Sequence, residues 1–155
     1  MSTVTFIPWK NQLADLVREP GGVKIVDALD QASKNLETIR ESTLTAVDAQ
    51  IEQIERLCAD TGARPADAVK QQIYFLASDI HAVAGVFGLG ELGEAALSLC
   101  DLVDRFRTLD RWNQAAVDVH LSSFRLLRRP SPNTDRSAVI QNLRRLSEGL
   151  AAGAP

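Results

Sequence analysis

From Val23 to Thr61 the chain contains neither glycine nor proline. Within that run Ile25, Leu29, Ala32, Leu36, Ile39, Thr43, Val47, Ile51, Ile54 and Cys58 recur at steps of three and four residues. That spacing draws one apolar stripe along an α-helix and does not fit a strand, whose faces alternate every second residue. Gly62 is placed to end the helix. At ~1.5 Å per residue the helix runs to nearly ~60 Å, longer than any other element the sequence predicts. Two arrangements follow. Part of the helix overhangs and its apolar face pairs with a second copy of the chain as a homodimer, or a bend near Ser42, Thr43 or Asp48 folds it within one monomer.

The remaining punctuation sets out shorter helices. Pro65 suits a first turn, and Val69, Ile73, Leu76, Ile80, Val83 and Phe87 carry the next apolar stripe. Gly88-Leu89-Gly90 makes a tight corner. Leu92, Ala95, Ala96, Leu99, Val103 and Phe106 mark a third helix, ending near Leu109. Asp110 is placed to cap a fourth, whose inner face is Ala116, Val117, His120, Phe124 and Leu127, stopped by Pro130. Thr134 or Asp135 caps a last helix through Val139, Leu143, Leu146 and Leu150. The expected fold class is all-α: an antiparallel four-helix bundle over residues 23–129, with a C-terminal helix over 134–150 packed alongside. Residues 1–22, with Pro8 and Glu19-Pro20-Gly21-Gly22, read as an irregular strap. The 155 residues form a single domain on this reading.

Composition narrows the function classes. A net charge of −3 argues against a general nucleic-acid binder, which needs a basic surface. The arginines at 125, 128 and 129 read as a solvated helix end. No apolar run reaches the length of a membrane span, and residues 1–9 lack the pattern of a signal peptide. Cys58 and Cys100 fall in helical stretches as buried thiols. Together these point to a cytoplasmic protein. There is no phosphate loop and no cysteine pair at zinc spacing. His81 and His120 sit on different helices with no carboxylate placed beside them, so no metal site and no cofactor is expected. Glu91 and Glu94 suit the positive end of their helix.

At about 100° per residue His81 falls roughly 120° from the centre of its helix's stripe, facing water. Tyr74, Ser78, Gly85 and Gly88 share that side, and Ala77 and Ala84 lie at its boundary. His120 instead shares a face with Phe124 and Leu127 and reads as a core residue. A neutral imidazole is a good nucleophile near pH 7. One that is exposed and ringed by small side chains leaves room for another protein's active site to bring a phosphoryl group to it.

His81-Ala-Val-Ala-Gly85, late on an amphipathic helix and followed by a glycine corner and a second helix, resembles the histidine phosphotransfer (Hpt) domain. The downstream Ser98-Leu99-Cys100, the segment His120 to Arg125 and the lead-in Phe6 to Leu13 are similar to Hpt-like proteins of alphaproteobacteria. The resemblance spans about residues 6 to 129. It implies that His81 accepts a phosphoryl group from a receiver-domain aspartate and passes it on. Tyr74, Ala77, Ser78, Ala84, Gly85 and Gly88 would then form the docking surface for a response-regulator receiver or a hybrid histidine kinase. Two departures stand out. The family's lysine three residues after the histidine is Ala84 here, and the stretch from Gly85 to Ser98 is about three residues short. Loss of a charge-assisted contact costs roughly 1.5–3 kcal/mol, which slows transfer without abolishing it. Faster transfer in Ala84→Lys would show that the site is merely weakened. The alternative is a degenerate module that docks or sequesters a receiver or kinase and transfers nothing.

Overall fold

A computed structural model describes residues 21–60, 64–129 and 132–152. Residues 1–20 of the expected 1–22 strap, the Gly62 stop, Pro130 and the last three residues lie outside them. The described residues form five α-helices and no strand: α1 (Ile25–Asp60), α2 (Asp67–Ala84), α3 (Gly90–Thr108), α4 (Gln114–Arg128) and α5 (Arg136–Ala152). The all-α expectation holds for these residues. None of their helices is long and apolar enough to cross a membrane.

The chain divides into two compact units, residues 1–39 and 40–155. In the first, every described residue from Gly21 to Ile39 is exposed. In the second, one core draws on all five helices. Val47, Ile51, Ile54 and Cys58 come from α1, Ile73 and Ile80 from α2, and Leu92, Leu99 and Val103 from α3. Val117, Phe124 and Leu127 follow from α4, and Ile140 and Leu143 from α5. The periodic positions of the sequence supply this core because each helix turns one stripe inward.

Some boundaries differ from expectation. Pro65 precedes α2 rather than opening it, since Ala66 is the N-cap. Asp110 does not cap α4. It sits in a left-handed conformation at φ 46°, where it pairs with Arg64 and lies 3.7 Å from Lys70 Nζ. Asn113 caps α4 instead, its side-chain oxygen accepting the Ala116 N–H at 3.0 Å. Asp135 caps α5 as expected, through the Ala138 N–H at 3.0 Å. The arginines near the end of α4 face α1 rather than solvent alone. Arg125 donates twice to Glu55, both at 2.6 Å. Arg128 and Arg129 share Asp48, each with an Nη2 at 3.3 Å. Arg128 Nε is only 2.8 Å from that carboxylate, but off the line a hydrogen bond needs.

Candidate functional site

Helices α2 and α3 run antiparallel across the 3-10 turn Gly85–Phe87 and Gly88, which takes a left-handed φ of 74°. Their seam repeats every seven residues on each helix. Arg107 Nε donates to Asp67 Oδ1 at 3.0 Å. Two turns on, the Cys100 thiol donates to the Tyr74 carbonyl at 3.6 Å. Two turns further, His81 Nδ1 lies 2.9 Å from the Gly93 carbonyl. A carbonyl oxygen can only accept, so Nδ1 carries the proton. The lone pair of the neutral ring is therefore on Nε2, which has no protein partner among the described residues. The His81 side chain is exposed.

Gly93 makes that contact possible. A Cβ there would stand 3.3 Å from the Ala84 Cβ and 3.7 Å from His81 Nδ1. The missing side chain lets α3 approach α2 closely enough for its carbonyl to reach the ring. Sequence reasoning missed Gly93. The signal was available, since a glycine within a helix costs up to about 1 kcal/mol relative to alanine and calls for a packing reason.

The same close approach corrects two expectations. Ala77 and Ala84 are buried, with exposures of 0% and 1%, so neither forms part of a docking floor. The buried arc of α2 runs through Ile73, Ala77, Ile80 and Ala84 and takes in Lys70. It is rotated by roughly 60° toward His81 from the stripe drawn by the larger side chains. Small residues occupy the arc because α3 lies against it. His81 thus stands at the edge of the α2–α3 seam rather than well out on a free face. A lysine at Ala84 would start from a buried position.

The other expected residues are accessible. Gly85 and Gly88 are exposed, and Ser78 and Tyr74 are half-buried. Nothing lies within 4 Å of a Cβ built on Gly85, so neither packing nor backbone demands a glycine there. Its effect is to keep the turn after His81 bare. One turn beyond Gly93 on α3, Leu97 exposes a large apolar side chain on the flank of the seam. It was not among the expected residues because it lies outside the α3 stripe. Lys70 is buried against Asp110, about 16 Å along α2 from His81.

His120 is a core residue, as expected, and is fully buried. Its Nδ1–H donates to the Ala116 carbonyl at 2.8 Å, so Nε2 accepts from the Ser98 hydroxyl at 3.0 Å. The Ser147 hydroxyl of α5 lies 3.2 Å from that of Ser98. With the Ser98 proton committed to His120, Ser147 donates. Burial pushes the His120 pKa down, opposed by the Ala116 hydrogen bond, so the ring is held neutral. The chain of hydroxyls ties α5 to α3 and α4. No group of three or more His, Cys, Asp and Glu among the described residues is arranged to hold a metal ion.

Comparisons with protein-family models, with curated proteins and with solved structures find no match to this chain.

Proposed function

We propose that this protein is a cytoplasmic histidine phosphotransfer protein of a two-component phosphorelay, built on an antiparallel four-helix bundle, with His81 as the phosphoacceptor. The observation that carries the reading is the His81–Gly93 hydrogen bond on an exposed ring. It holds the proton on Nδ1 and leaves the Nε2 lone pair to the solvent side. In the proposed step Nε2 attacks the phosphorus of a receiver's aspartyl phosphate. The N–P bond forms, the P–O bond to the aspartate breaks, and the carboxylate leaves with the bonding pair. The receiver supplies the metal ion and most of the charge stabilisation. Bare Gly85, Gly88 and Ser78 leave room for its active site, and Tyr74 and Leu97 offer apolar contact at the rim.

Incubation with a phosphorylated receiver tests this. The expected result is an acid-labile phosphohistidine in the wild type and none in His81→Gln. Absence of both phosphohistidine and receiver dephosphorylation in the wild type would sink it.

A second reading rests on Ala84. The place where the resembled family carries a cation is filled here by a buried alanine against Gly93. A module that docks receivers without accepting phosphate has no use for that cation. It predicts receiver binding that survives His81→Gln, with no phosphohistidine in either protein.

A further inference from the structure

The apolar stripe of α1 is continuous, but its burial is not. Val47, Ile51 and Ile54 of the stripe are core. Earlier on the same stripe Ile25 is 77% exposed and Leu29 63%, and Leu36 and Ile39 are exposed as well. Four turns of a helix thus present to water a face patterned for burial, which on a soluble protein marks an interaction surface. We propose that the Ile25–Ile39 stripe of α1 pairs with the same stripe of a second copy of this chain, the two helices antiparallel.

Charge placement selects a second copy. At about 100° per residue Asp27, Asp30, Lys34 and Glu37 fall on the side of the helix away from the stripe. Asp30 and Lys34 are satisfied there by an ion pair at 2.8 Å. Between Ile25 and Ile39 the positions flanking the stripe are Ala28 and Asn35 on one side and Val26 and Ser33 on the other, and none of these is charged. Arg40, just past Ile39 on that second side, donates through Nη2 to the Phe87 carbonyl at 3.4 Å. A surface read by a partner of opposite charge would carry a signed rim. A neutral rim lets identical faces meet without repulsion, as an isologous contact requires.

Side-chain size selects the direction. Along the stripe Leu29, Ala32, Leu36 and Ile39 place one small residue among large ones. In the antiparallel register that sets Leu29 against Ile39 of the second copy, Ala32 meets its Leu36, so the layers have similar volume. Parallel pairing would set Ala32 on its own equivalent and leave a gap, which costs stability.

Light scattering on the full chain across a concentration series tests the proposal without involving His81. The wild type is expected to approach twice the monomer mass as concentration rises. The variant carrying Leu29→Glu and Leu36→Glu is expected to stay monomeric. Both side chains are exposed within one chain, so the variant should keep the wild-type helical signal and thermal transition of the core. A wild type that is monomeric throughout overturns the proposal. If its 25–39 amides are then protected from hydrogen exchange, the chain's own residues 1–20 cover the stripe. A dimer that the two glutamates leave intact also overturns it, because the contact then lies elsewhere. For direction, Leu29→Cys mixed with Ile39→Cys should cross-link between the two variants, and self-cross-linking of Leu29→Cys alone overturns the antiparallel arrangement.

Discussion

The imidazole of His81 and the backbone carbonyl of Gly93 meet across the α2–α3 seam at 2.9 Å, a contact set by the helix facing the histidine. The ring's tautomer therefore depends on how closely α3 approaches, and that approach depends on the hydrogen at Gly93 in place of a side chain. Position 93 links bundle packing to the state of the exposed nitrogen.

Gly93→Val should test that link. Its Cβ would press on the Ala84 Cβ, which belongs to a helix and moves only with it. Overpacking of this kind costs about 1–3 kcal/mol, more than the helix-propensity gain of losing a glycine. Urea unfolding should show the lower midpoint. Nitrogen NMR of the histidines should show the His81 Nδ1–H tautomer no longer dominant.

Ala84→Lys should destabilise the protein and should not accelerate any phosphotransfer. Residue 84 is buried against Gly93, so an ammonium there must either lose water or force its stem out between the helices. A cost of about 1–3 kcal/mol is expected from volume alone. Thermal unfolding gives the stability, and transfer from a phosphorylated receiver gives the rate. A faster, equally stable variant would show that the seam opens more readily than its packing implies.

The periodicity of the large side chains carried most of the helical architecture, the buried His120 and the accessibility of His81. It misplaced the inward face of α2 because it gave alanine little weight. Where helices pack closely, alanine and glycine form the contact, and Ala77, Ala84 and Gly93 do so here. Lys70 is buried as well, and its charge partner is Asp110, forty residues away in the chain, a pairing that spacing along one helix cannot reveal. The α4 cap was missed through proximity: both Asp110 and Asn113 can cap, and only the path of the turn decides between them.

Asn113→Ala should therefore cost about 1 kcal/mol, as expected for removing an N-cap side chain that holds a first-turn N–H. Asp110→Asn should leave that cap bond intact. Chemical denaturation of the two variants separates the roles, and a larger loss in Asp110→Asn would place the charge partners Arg64 and Lys70 above the cap in importance.

Stability should depend on pH through His120. Its pKa is lowered in the folded state by burial, while the unfolded chain titrates near the ordinary ~6.5. Between those values the unfolded state binds more protons, so stability rises with pH. The contribution is fully present above about pH 6.5 and is lost as pH falls through the lower folded value. His120→Gln should flatten this part of the profile. Ser98→Ala should cost about 1–3 kcal/mol by leaving the buried Nε2 without its donor.

The two thiols should be nearly inert until the protein unfolds. Cys58 and Cys100 are buried, and burial is the main cause that pushes each pKa up to about 11 from 9.0. Asp118 and Glu55 add to the shift at Cys58, and Asp101 adds to it at Cys100. A rise of two pH units leaves roughly a hundredfold less thiolate at about pH 8, and the thiolate is the reacting species. Titration with a thiol reagent at that pH should show slow modification of the native chain and rapid modification of both thiols in denaturant. Because Cys100 donates to the Tyr74 carbonyl on the His81 seam, its rate also reports on α2–α3 packing. It should rise in Gly93→Val, while the rate at Cys58, which belongs to α1, should change less.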